Sequence, residues 1–254
     1  MCITWSFLNR FSKILFLLLT PAFFRVFNFA FIWHSIYWGV ITFVLMIWGL
    51  FLLISPLFGR IGCGWFCFMG TTQDLMFQHS LLKNHQKRPI LWLRFLLPVG
   101  FFISSLAFFV VHLNDGIIEG IRFIPDFFGT DLNQHYQHVW MYDTLGALLL
   151  GVFLEKRWAC KNLCFMGALC AAGSTYSRLL PVIDTSKCTQ CKQCEKVCLV
   201  NIPITEYIGK RGGLVTHSEC ILCGKCADAC KMDALSIKMV WNRKKYLEAS
   251  SVNP

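Results

Sequence analysis

Eight of the fourteen cysteines repeat one spacing, Cys188-x2-Cys191-x2-Cys194-x3-Cys198 and Cys220-x2-Cys223-x2-Cys226-x3-Cys230. No other feature restricts the possible folds of the C-terminal part so tightly. Three cysteines on one short loop can reach three irons of a cube, and the fourth is carried onward to face another cube. The expected ligand sets are therefore crossed. Cys188, Cys191, Cys194 and Cys230 hold one 4Fe-4S cluster, and Cys220, Cys223, Cys226 and Cys198 hold the second. Structural zinc usually reads as two separated C-x2-C knuckles, so the double run favours iron–sulfur over zinc.

Hydropathy sets the second constraint. Apolar residues make up 56% of the 254-residue chain and mean hydropathy is +0.53, more than an ordinary soluble domain carries. Ile36 to Leu57 and Phe95 to Leu113 are free of charged residues, each long enough to cross ~30 Å of hydrocarbon as a helix. Ile14 to Trp33 and Val139 to Leu154 are expected to add two more spans. No A-x-A-like site follows the first run, which disfavours a cleaved signal peptide. The expected fold class is a membrane α-helical protein, four transmembrane helices in two hairpins over residues 1–178, with a C-terminal α+β two-cluster ferredoxin-like domain over residues 179–254.

Charge sets the expected orientation. Residues 58–89 carry Arg60, Lys83, Lys87 and Arg88 against Asp74, whereas His112 to Asp143 carries one arginine, Arg122, against five acids. Lysine and arginine accumulate on the cytoplasmic side, so both termini are expected there, at a bacterial inner membrane. Reduced thiols prevail in that compartment, which removes a disulfide framework. The net charge of +10 suits contact with anionic lipid or an acidic redox partner, and nucleic acid is not needed to explain it.

An internal repeat lies upstream of the ferredoxin motifs. Cys63-Gly64-Trp65-Phe66-Cys67-Phe68-Met69-Gly70 and Cys160-Lys161-Asn162-Leu163-Cys164-Phe165-Met166-Gly167 share the frame C-x3-C-F-M-G. On a continuous helix, cysteines four apart would lie on one face. Cys63, Cys67, Cys160 and Cys164 could then converge on a further cluster, a soft metal ion such as Cu(I), or a dithiol–disulfide couple. Cys2 and Cys170 belong to no pattern and read as packing residues. No frame for a Rossmann nucleotide site or a P-loop occurs. His34 and His112 give little support for a haem.

The order of four apolar spans, paired C-x3-C motifs and a double C-x2-C-x2-C-x3-C domain resembles the NapH-type membrane ferredoxins, to which MauN, NosR and CcoG proteins are related. Arg60-Ile61-Gly62-Cys63 through Cys67 and Arg157-Trp158-Ala159-Cys160 through Cys164 carry the likeness. Proline, usual in the family after each C-x3-C and after the fourth cluster cysteine, is replaced by Phe68, Phe165, Leu199 and Lys231. The resemblance implies a component of a quinol dehydrogenase, moving electrons between the membrane quinone pool and other redox subunits. A CcoG-like copper reductase or assembly factor and a non-catalytic redox sensor are the rival expectations. Quinol oxidation also needs a proton acceptor, for which His112, Asp115 and Glu119 are candidates.

Overall fold

The computed structural model describes residues 5–18, 35–36, 38–76, 90–117, 121–124, 145, 149, 153, 157–208 and 211–243. Helix α1 (Trp5–Leu18) is amphipathic, but its polar stripe is the one turned inward. Asn9 and Lys13 are buried, whereas Phe7, Phe11 and Leu18 are 59%, 58% and 73% exposed. Spacings of three to four residues put each set on its own face. Asn9 Nδ2 donates to the Gly64 carbonyl at 2.9 Å, and Ser12 Oγ donates to that of Trp65 at 3.1 Å. Hydrogen bonding therefore fixes which face docks.

The expected span Ile36 to Leu57 is not one helix. The β-branched run Val40–Thr42 extends as strand β1, as such side chains favour. It pairs in parallel with strand β2 (Arg122–Ile124), Val40 opposite Arg122 and Thr42 opposite Ile124. Helix α2 begins only at Phe43 and ends at Phe58, 16 residues in all, or about 24 Å. Helices α3 (Ile61–Trp65) and α4 (Phe68–Met76) follow, then α5 (Leu91–Asn114).

The four-helix transmembrane expectation is corrected accordingly: among the described residues, no helix is long and apolar enough to cross a membrane. Helix α1 has 14 residues and carries Arg10 and Lys13. Helix α5 has 24, but its first turn holds Arg94, buried and ion-paired, and its last holds His112. Only 17 residues lie between them, the bottom of the range of about 17–25 that a spanning helix needs. Of Val139 to Leu154 only Leu145, Leu149 and Phe153 are described, and Ile14 to Trp33 leaves the described residues after Leu18.

Helices α6 (Trp158–Asn162) and α7 (Phe165–Ser174) carry the second C-x3-C frame. Strand β3 (Leu179–Ile183) then pairs antiparallel with β4 (Leu235–Met239), Leu179 opposite Met239 and Ile183 opposite Leu235. All five residues of β3 are buried. Between the strands lie helices α8 (Gln193–Lys196) and α9 (Lys225–Asp228). The core here joins Ile183, Val200, Ile202, Ile204, Val215 and Ile221 to Cys198 and Cys223. The cluster cysteines are therefore part of the hydrophobic core.

Candidate metal centres

The two ferredoxin motifs have the same backbone. Positive φ recurs at Gln190 and Leu222, at Lys192 and Gly224, and at Asn201 and Asp233, each pair at the same offset as Cys188 and Cys220. Left-handed residues reverse a chain within a few positions and turn consecutive N–H groups to one side. The reversal lets C-x2-C-x2-C present three thiols together. Each fourth cysteine is held alike: Ile202 N–H donates to Cys198 Sγ at 3.4 Å, and Ala234 N–H donates to Cys230 Sγ at 3.3 Å. Hydrogen bonds to sulfur are one of the levers that set a cluster's potential.

Cys198 crosses to the second motif. One cavity is lined by Cys198, Cys220, Cys223 and Cys226 together with Val200, Ile202 and Ile221, so the four thiols share a dry pocket. Burial pushes the Cys220 thiol up to about 12, with Cys198 and Cys223 contributing charge. The donor set and the apolar lining fit a thiolate-held cluster. Cys188, Cys194 and Cys230 are half-buried against the same core. Cys191 is exposed. The first loop is therefore the solvent-facing end of the pair and the second is the interior end.

The C-x3-C cysteines do not lie on a continuous helix. Cys63 belongs to α3 and Cys160 to α6, but the chain breaks before α4 and α7. Cys164 is the N-cap residue of α7, and its sulfur accepts the Gly167 N–H at 3.2 Å. The Gly70 N–H donates likewise to Cys67. Breaking the helix lets the second thiol of each pair turn back towards the first.

Two arginines then tie the frames together across the molecule. Arg157, 1% exposed, donates from Nε and Nη2 to Asp74 at 2.7 and 2.6 Å and from Nη1 to the Cys63 carbonyl at 2.9 Å. Arg60, 2% exposed, pairs with Glu219, which also takes Arg94 Nη1 at 2.5 Å. Burial alone would lower both guanidinium pKa values, but Asp74 for Arg157, Glu219 for Arg60, and the nearby thiols raise them. Burial and the Arg157 charge outweigh Asp74 in lowering Lys13. Arg157 is the dominant partner of that carboxylate.

Two residues outside every motif touch these thiols. Cys170 hydrogen-bonds Cys63 and is the largest cause drawing that thiol down to about 5. Gln73 Nε2 donates to Cys160 Sγ at 3.3 Å, while its Oε1 accepts the Ala159 N–H at 3.2 Å. Gln73 falls in no motif, so only contact reveals it. Burial pushes Cys67 up to about 12, with the Cys160 and Cys63 thiols next in effect. All four C-x3-C thiols thus lie within electrostatic reach of one another. Among the described residues, no three His, Cys, Asp or Glu side chains close on a single metal ion, and this holds for the eight ferredoxin cysteines too. His112 stacks on Trp38 with centroids 5.3 Å apart. Asp115 follows α5, while His34 and Glu119 lie outside the described residues.

Two family profiles match the chain, a 4Fe-4S binding domain over residues 40–89 and a 4Fe-4S dicluster domain over residues 180–239. An uncharacterized protein of Methanocaldococcus jannaschii is 25% identical over 207 residues, 76% of this chain and 77% of that protein. The putative electron transport protein YccM of Escherichia coli K12 is 23% identical, over 71% of this chain and 51% of its own length. The ferredoxin-type protein NapH of the same organism is 32% identical over 109 residues, 38% of this chain and 37% of NapH. No solved structure matches. The chain holds two 4Fe-4S clusters.

Proposed function

We propose that this iron–sulfur electron-transfer protein, similar to the NapH-type ferredoxins, accepts electrons from quinol and delivers them singly to a redox partner. Bound clusters supply one-electron storage between a two-electron donor and that partner. We assign Cys188, Cys191, Cys194 and Cys230 to one cluster and Cys220, Cys223, Cys226 and Cys198 to the other. The cavity that brings Cys198 to the second motif is the observation that carries this assignment.

The residues divide the work by depth. The interior loop is walled by Val200, Ile202, Ile221 and Leu222, which keep water from the thiols. At the outer loop, exposed Cys191 is flanked by exposed Lys187, Lys192 and Lys196. A carboxylate-rich partner would be steered there. Exposed apolar residues on α1 and α5, among them Phe11, Leu18, Trp92 and Leu96, support a location against the inner membrane, where quinol is dissolved.

Oxidising one quinol releases two electrons and two protons, so the donor side also needs a proton acceptor. Anaerobic purification, iron and sulfide analysis, and EPR during titration with a reduced quinone analogue test the reading. Cluster signals should grow as quinol is added, in proportion to quinone formed. An iron-loaded protein whose spectrum ignores quinol but responds to dithionite would end the quinol assignment.

A further inference from the structure

The geometry points to a third redox centre: Cys63, Cys67, Cys160 and Cys164 hold a further 4Fe-4S cluster, in contact with the second ferredoxin cluster through the seam between Gly64 and Ile221. This does not depend on quinol being the donor. The matched binding domain at residues 40–89 contains only two of these thiols, and a cube requires four ligands. The missing pair comes from the other half of the internal repeat, joined where Arg157 reaches the Cys63 carbonyl and Arg60 lies against Gly167.

Charge argues for an anionic occupant. Lys13, Arg60, Arg94 and Arg157 are buried around the quartet, and among the described residues they meet two carboxylates, Asp74 and Glu219. These four cations exceed the two carboxylates by two positive charges, and a fifth buried cation, Lys161, lies between Cys160 and Cys164 in sequence. Protonated thiols or two disulfides would leave that excess uncompensated, which is strongly unfavourable away from water. A cube ligated by four thiolates carries a net negative charge of about two. The Arg60 Nε donor, buried and without an acceptor among the described residues, has the polarity such a group requires. Three of the sulfurs already accept N–H donors, Cys164 from Gly167, Cys160 from Gln73 and Cys67 from Gly70.

The seam follows from one close approach. A Cβ on Gly64 would stand 2.0 Å from the Ile221 carbonyl oxygen, so only glycine permits this contact. Gly64 lies between Cys63 and Cys67, and Ile221 lies between Cys220 and Cys223. Trp65 Nε1 donates to the Leu222 carbonyl at 3.1 Å, locking the same two loops. The step at this seam is outer-sphere: one electron leaves one centre and enters the other, with no bond made or broken.

The test begins with the full-length chain, purified anaerobically and reconstituted with iron and sulfide. About twelve irons and twelve sulfides per chain are expected; about eight, or eight with one equivalent of zinc or copper, overturns the proposal. Cys160→Ser with Cys63→Ser should remove a third of the iron and leave the signals of the other two clusters intact. Where that variant fails to fold, spin quantitation of the dithionite-reduced wild type decides: two spin systems refute the centre, three support it. Gly64→Ala should keep the iron content and weaken the magnetic coupling between the third centre and the second cluster. Unchanged coupling at full iron content would remove the seam.

Discussion

The Arg157 guanidinium lies 3.0–3.1 Å from where a Cβ on Gly70 would stand, although the two residues belong to opposite halves of the internal repeat. Arg60 bears the reciprocal relation to Gly167, its Nη2 lying 2.8 Å from the corresponding point. Each frame thus begins with an arginine that ends on the last glycine of the other. The exchange brings two cysteine pairs, about a hundred residues apart in sequence, around common cations.

Gly70→Ala and Gly167→Ala should therefore destabilise the protein by about 1–3 kcal/mol, the usual range for overpacking a filled interior. Gly167→Ala should be the worse, because the Cys160 carbonyl oxygen, at 3.1 Å, blocks the methyl from a second side. Denaturant unfolding of both variants, with iron content followed in parallel, checks the order.

Asp74→Asn should cost roughly 3–5 kcal/mol at neutral pH, since it leaves Arg157 buried without its charge partner. Burial raises the Asp74 pKa, but the Arg157 and Lys13 interactions bring it below its ordinary 3.8. Burial likewise opposes, and Arg60 and Arg94 outweigh, in holding Glu219 below 4.5. A carboxyl whose folded pKa is depressed stabilises the fold above its unfolded pKa, and that contribution is lost as pH falls through the folded value. Wild-type stability should accordingly fall below about pH 4.5, and Asp74→Asn should flatten part of that slope. An acid titration of unfolding midpoints distinguishes them.

Lys192 and Gly224 occupy equivalent left-handed positions, φ 59° and 80°, yet should respond in opposite ways. Lys192 is exposed, and replacing it with glycine should stabilise by up to about 1 kcal/mol by removing the Cβ penalty. Gly224→Ala should destabilise by more than that, because the new methyl would meet Trp5 Cδ1 at 2.4 Å. Thermal unfolding of the two variants gives the signs.

Trp5 donates from Nε1 to the Leu222 carbonyl at 2.7 Å, and Ser6 bonds Asp228, so α1 clamps the second cluster loop. Trp5→Phe should cost about 1 kcal/mol through the lost hydrogen bond. It should also speed iron release to a chelator from the interior cluster more than from the outer one. Equal acceleration of both would show that α1 acts globally.

The eight-cysteine spacing made the two clusters legible because ligation by a tight loop is a local property. Three thiols within seven residues can converge whatever surrounds them. Paired left-handed positions at Gln190 and Leu222, by contrast, fall on residues with no special propensity for that backbone, and only packing reveals them. Hydropathy proved a weaker guide. Ile36 to Leu57 reads as one apolar run, yet Val40–Thr42 finds a partner strand at Arg122–Ile124, a pairing no single window contains. Helix α1 shows the same limit, because an apolar stripe does not say which face will dock when Asn9, Ser12 and Lys13 find acceptors elsewhere.

Cysteine spacing alone was enough to announce that thiolates gather iron twice and that a C-x3-C frame led by an arginine occurs in duplicate, since both are short-range patterns. Folding settles the rest: Arg60 reaches Glu219 and Arg157 reaches Asp74, Gly64 presses on Ile221, and Cys170 and Gln73 attend the inner thiols. These contacts join residues 83 to 159 positions apart. Buried charge tolerates few arrangements without a partner, and which partner arrives depends on how the whole chain folds back on itself.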